Sequence, residues 1–226
     1  MLTLRIWSGY QENDVPKKRE VHHDKNIIYH HSYVQLRSLY KKCIDSLILP
    51  DPLMEQIEIL VVNDGSTDAS PEMCDNFAKE NSKVKVIHQE NGGVCKARNA
   101  GIAISTGEYV GFCDADDIPD NDLYEYLYNL ASNNRSDISI IDMYVIEEGE
   151  KKLYTSDDVK LNLSDRKEII KNFLDGRFGD AIYTNLYKGD ICRNTKFEEG
   201  RKINEDKMYF FECLMKCSSV SYHSTP

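Results

Sequence analysis

At 226 residues, with 41% apolar and 29% charged side chains, the chain has the composition of one globular domain large enough to bury a real core. Its formal charge of −10 argues against a nucleic-acid partner, which needs a basic surface, and means that a phosphate ligand would require an intervening cation. No apolar run reaches the length of a membrane span, and the first residues lack the apolar core of a signal peptide.

The N-terminal stretch is unusual. His22, His23, His30 and His31 place four of the six histidines within ten residues, around "NIIYHHSYVQLRSLYKK". A metal site is one reading of that cluster. The seven cysteines are odd in number and scattered, which fits buried thiols in a reducing cytoplasm better than a disulfide framework.

From residue 57 the pattern becomes regular. "IEILVVND" is a short apolar run, as expected of a strand buried on both faces. After the turn "GSTDAS", Ser70 and Pro71 offer an N-cap and a first-turn proline for a helix to about Glu80. "VKVIHQ" reads as a second strand, "NGG" as a loop, and Val94 to Ser105 as a helix of small residues. "GEYVGFCDADD" then runs as a strand into an acidic turn. Strand, helix, strand, helix, strand with short links predicts a parallel sheet with crossover helices, whose ligands bind at the carboxyl ends of the strands. A helix over about 120–132 and a strand at 137–146 follow. After a polar hairpin-like stretch, Asp165 and Glu168 form a capping-box pattern for a helix near 165–175. The two halves read as one continuous domain.

Four places can carry chemistry. Asp114 and Asp116 in "DADD" lie two residues apart at a strand end, so both carboxylates can hold Mg²⁺ or Mn²⁺ against a diphosphate, or the turn can simply cap the next helix. Asp64 can satisfy the amides of its own turn or accept a hydrogen bond from a nucleobase. Arg98 is the long cation in a helix of small residues, free to snorkel or to reach an anion. Glu205 and Asp206, after the cap residue Asn204, complement a helix dipole, or one of them serves as a general base.

"IEILVVNDGSTDAS", "HQENGGVCKARNAGIAISTGEYVGFCDADD", "TNLYKGDI" and "KFEEGRKINEDKMYFF" occur in the order and spacing of bacterial family 2 glycosyltransferases, and the chain resembles that family from about Tyr40 to Pro226. The resemblance implies an α/β GT-A fold with a mostly parallel central sheet flanked by helices. It implies that Asp64 contacts uracil and that Arg98 lies near the donor. Asp114 and Asp116 would form the metal and ribose site, with Asp117 adjoining. Asp206 would be the base of a single inverting displacement, with Glu205 beside it, and Asn185 and Tyr187 would lie on the acceptor side. The implied donor is a nucleotide-sugar, with uridine diphosphate as carrier. The implied acceptor is a glycan or lipid-linked saccharide, at the cytoplasmic face of the membrane and with peripheral contact to it.

The family also expects a first strand of the type "SIIIPxYN" just before "LYKKCIDSL" at 39–47, which the preceding residues do not supply. Codons can be chosen for residues 23–42 that, read one base later, encode MIKISSIIIPTYNLEAYIK, which is that strand. Residues 1–39 are therefore expected to be a frameshifted, irregular segment, with regular structure from about Tyr40. Residues 40–118 then form the nucleotide-sugar half and 119–226 the acceptor half, cut short at "SSVSYHSTP" where relatives continue. Two competitors stand beside this reading. A sugar-1-phosphate nucleotidylyltransferase would need a Gly-rich N-terminal phosphate loop, and an inactive fragment would keep only the fold.

Overall fold

The computed structural model describes residues 2–8, 57–114, 119–120, 122–142, 144–147, 150–153 and 158–224. The first unit is strand β1 (Leu2–Ser8), β2 (Ile57–Asp64), helix α1 (Ser70–Glu80), β3 (Val84–Gln89), α2 (Val94–Ile104), β4 (Tyr109–Gly111) and β5 (Cys113–Asp114). All eight residues of β2 are buried, as its unbroken apolar run requires of a strand covered on both sides. It pairs in parallel with β3 on one side and with β1 on the other.

β1 changes the expectation for the N-terminus. Its register runs from Leu2 opposite Ile57 to Ser8 opposite Asn63, and it also pairs in parallel with β4 and β5. Regular structure therefore begins well before Tyr40, and the slot between β2 and β4 is filled from residues 2–8. A chain that leaves a central slot open exposes two unpaired backbone edges, so a β-competent run such as "LTLRIWS" gains a full ladder there. The histidine cluster and the remainder of the 1–39 segment lie outside the described residues.

The second unit adds α3 (Leu123–Asn134), β6 (Ile138–Ile141), the hairpin of β7 (Tyr144–Glu147) and β8 (Glu150–Leu153), and β9 (Lys160–Leu163). It continues with α4 (Arg166–Leu174), β10 (Asn185–Lys188), α5 (Gly189–Arg193), α6 (Glu205–Lys216) and β11 (Val220–His223). The expected strand at 137–146 is thus split into β6 and β7, which belong to different sheets. At the start of α4 the Asp165 carboxylate accepts from the amides of Lys167 and Glu168, the cap that its sequence pattern predicts. Ser70 is instead the first residue of α1, and Asp68 accepts from its amide at 2.9 Å.

The main sheet has the order β3-β2-β1-β4-β10-β6-β11-β9, with β5 alongside β1. β10 is antiparallel to both β4 and β6, so β6 and its parallel neighbour β11 point the same way as β1 to β5. Their carboxyl ends share one edge, and there the site assembles. One face of the sheet packs Ile57, Ile59, Val61, Leu127 and Leu186 into a core with α1 and α3. The other packs Val110, Phe112, Ile140, Tyr187 and Phe210 against α2, α4 and α6. The six described cysteines are all buried thiols, as expected.

Because β1 is central, proline at Ile6 should abolish its ladder bonding and disrupt the sheet from its middle. We expect Ile6→Pro to lose cooperative thermal unfolding by circular dichroism. An unchanged transition would show that residues 2–8 do not hold the fold.

Candidate active site

Asp64 ends β2 and is fully buried, with 0% exposure. Its carboxylate accepts from Gln89 Nε2 at 2.6 Å and from the amides of Gly92 and Gly93 at 3.0 and 2.7 Å. It thereby ties the end of β2 to the loop that opens α2. The turn after β2 is closed instead by Asn63, whose side-chain oxygen accepts from the amide of Ser66 at 3.1 Å. The local asparagine role expected of Asp64 is therefore taken by its neighbour. Gly65 is held at φ +72°, and a Cβ there would meet the Asn91 amide nitrogen at 2.7 Å, so this turn needs glycine twice over.

Arg98 lies on the buried side of α2 with its side chain 7% exposed. It does not snorkel. One guanidinium nitrogen donates to Asp114 at 3.0 Å, and another donates to Asp206 in a very close contact. The face of the group lies 5.2 Å from the Phe197 ring centroid. Asn99, the next residue, holds the main chain of Phe197 from both sides. Its amide donates to the Phe197 carbonyl and its oxygen accepts from the Phe197 amide, each at 2.9 Å. Phe197 in turn stacks on Tyr209 of α6, at 3.9 Å and 1° between planes.

The electrostatics follow from this crowding. Burial works against the charged form of Arg98, but Asp114 and Asp206 outweigh it, and the guanidinium is held above its ordinary value. Burial pushes the Asp206 carboxyl up, with Asp114 and Glu205 adding to the shift and Arg98 opposing it. Asp206 stays 25% exposed and Asp114 32%, so each keeps a face toward solvent. The arrangement suits a carboxylate that must take a proton and a second that must face a cation. Glu205, half-buried beside Asp206 in the first turn of α6, adds negative charge there. Asn204 sits in the left-handed region and makes no side-chain cap bond, contrary to its expected role.

The site residues expected from sequence are thus only partly brought together. Arg98, Asp114 and Asp206 meet directly, and Asp64 anchors the adjoining loop. Asp116 and Asp117 lie outside the described residues. Asn185 and Tyr187, expected on the acceptor side, are both fully buried. Asn185 donates to the Ala181 carbonyl at 3.0 Å and to the Tyr187 hydroxyl at 2.9 Å, and burial pushes the phenol well above its ordinary value. β10 is covered on both faces over these residues, and their side chains brace the core. Sequence reasoning missed Gln89, Asn99 and Phe197. The one available signal for Asn99 was its place beside Arg98 in an otherwise small-residue helix.

For a cation, Asp114 offers a partly exposed oxygen donor of the hard type that Mn²⁺ and Mg²⁺ take. Among the described residues, no group of three or more His, Cys, Asp or Glu could hold a metal alone.

The glycosyl transferase family 2 model matches residues 32–192. The chain belongs to that family. It is 31% identical over 186 residues to the uncharacterized glycosyltransferase EpsJ of Bacillus subtilis, a match covering 80% of this chain and 53% of EpsJ. It superposes on Staphylococcus aureus TarS 1-349 with a TM-score of 0.70 at 18% identity, over 100% of this chain and 58% of that one. TarS has also been solved in complex with UDP-GlcNAc. A mannosyltransferase from Pyrobaculum calidifontis, solved with GDP-Man and Mn²⁺, matches at 0.60 and 14% identity, covering 100% and 57%. The expected GT-A fold is therefore correct. The chain spans about half the length of the relatives and structures it matches.

Removing the Asp64 carboxylate leaves the Gly92 and Gly93 amides without their acceptor. We expect Asp64→Ala to cost about 1.5–3 kcal/mol in urea unfolding, the range for hydrogen bonds to a charged group.

Proposed function

We propose that this chain carries the donor and base half of an inverting glycosyltransferase. The donor is a UDP-sugar, and the acceptor is a hydroxyl of a glycan or lipid-linked saccharide in cell-surface polysaccharide synthesis. The observation that carries this reading is the Arg98 junction, which sets the strand-end carboxylate Asp114 and the helix-borne carboxylate Asp206 one side chain apart. The UDP-GlcNAc complex of TarS supports the choice of carrier.

In this reading Asp206 accepts the proton of the acceptor hydroxyl. The freed oxygen forms its bond to the anomeric carbon from the side opposite the diphosphate, whose carbon–oxygen bond breaks as UDP departs. The loop that Asp64 anchors would face the uridine, with Asp114 on the sugar and phosphate side. Asp114 and Asp116 would hold Mn²⁺ or Mg²⁺, which supplies neutralising charge to the diphosphate. Such neutralisation is needed on a chain of net charge −10. The Mn²⁺ complex of the Pyrobaculum enzyme supports this cofactor. The setting would be the cytoplasmic face of the membrane, and among the described residues no helix is long and apolar enough to cross it. The inactive-fragment reading rested on a missing first strand and a shortened C-terminal end; β1 stands in the slot of that strand.

Calorimetric titration of UDP with Mn²⁺ tests the donor. We expect saturable binding, weakened at least about tenfold by Asp114→Ala. No binding to the unaltered protein would overturn the proposal. Asp206→Asn should leave UDP binding intact while lowering donor turnover by roughly 10²–10⁴-fold, the usual contribution of a general base.

The base acts in its ionised form, and burial raises its pKa, so turnover should fall as pH drops through that raised value. We expect the acidic limb of the rate profile above the ordinary aspartate value of about 3.9. A limb at or below that value would exclude Asp206 as the titrating group.

A further inference from the structure

We propose that Arg98 is the positioning residue of Asp206 and not a ligand of the donor diphosphate. This rests on the reading of Asp206 as the base. Arg98 and Asp206 are 108 residues apart, yet they are joined by a closed ring of contacts. From Arg98 the ring passes to its neighbour Asn99, which clamps the Phe197 main chain. The Phe197 ring stacks on Tyr209, three residues after Asp206 on α6, and Asp206 returns to Arg98. The guanidinium face rests on the same Phe197 ring. Every side of this ring belongs to α2, to α6 or to the residue wedged between them.

The guanidinium offers a donor little surface. It is 7% exposed, and two of its nitrogens already serve carboxylates. Drawing it toward a diphosphate and away from Asp114 or Asp206 would leave a partly buried carboxylate without its counter-charge. The base, by contrast, needs such a partner. It sits in the first turn of α6, whose N-cap Asn204 makes no side-chain cap bond, after a loop with Gly200 at φ +85° and Ile203 73% exposed. Arg98 fixes which carboxylate oxygen of Asp206 points inward and therefore which one faces the acceptor.

The test compares the unaltered protein with Arg98→Gln, Asp206→Asn and the double variant. UDP·Mn²⁺ affinity is measured by calorimetry, and turnover by UDP release from UDP-GlcNAc with water as acceptor. We expect Arg98→Gln to bind UDP·Mn²⁺ within about threefold of the unaltered protein while its turnover falls at least about tenfold, with no further loss in the double variant. An affinity loss of about tenfold or more, with turnover of the bound donor unchanged, would make Arg98 a donor ligand and overturn the proposal. If the unaltered protein binds no UDP, the donor reading fails by itself. The melting temperatures of the same four proteins then decide the positioning role, because coupled residues give less than additive losses and additive losses overturn it.

Discussion

The interaction on which the site depends is the burial of one guanidinium between two carboxylates. Arg98 leaves water almost entirely, and a buried cation stripped of a partner costs several kcal/mol, roughly 3–5 when a pair is broken. That penalty makes α2, the end of β5 and the start of α6 interdependent. None of the three can drift without exposing or orphaning charge. The aromatic group beneath, with Phe112 edge-on to Phe197, Tyr187 and Tyr209, supplies the rigid floor.

The sheet determines where this junction can be. Seven strands share a direction, so their carboxyl ends and the turns that follow converge on one edge. Asp64 shows how the edge is kept in order, because one carboxylate gathers a side-chain amide and two backbone amides from the next strand and loop. A similar device works at the opposite edge. There the buried Glu58 carboxylate accepts from the amide and hydroxyl of Thr106, and Lys85 donates to it. Buried acids in this protein bind loops to strands as much as they serve chemistry.

Much of this was legible in the sequence, and the failures have physical causes. β2 and β3 were readable because their apolar runs are short, dense and bounded by turn residues. Arg98 stood out because a long cation among alanine, glycine and isoleucine has to be accounted for. The burial of Asn185 and Tyr187 was not legible, because the motif that contains them marks a position in the chain and not the direction of a side chain. On β10, covered on both faces, Asn185, Leu186 and Tyr187 are all core. β1 could not be foreseen from local pattern. Its seven residues gain their place from neighbours about fifty positions away in sequence, an effect that local propensity does not report. Phe197 was invisible for the same reason, since its importance comes largely from Arg98 and Asn99 of α2, which are distant in sequence.

The position of β10 has a kinetic consequence. It lies between β4 and β6 and is antiparallel to both, although it follows β6 by more than forty residues. Until residues 185–188 have been synthesised, β4 and β6 each present an unpaired backbone edge, and the second half of the sheet has no template on which to align. The nascent chain therefore cannot complete its first half as an independent unit. It must hold those edges open while the α4 region is made, which favours slow, late closure and a period of exposure to wrong strand partners. The strand that seals the sheet also carries Leu186 into one core and Tyr187 into the other. Its insertion therefore ties the two hydrophobic layers to one strand.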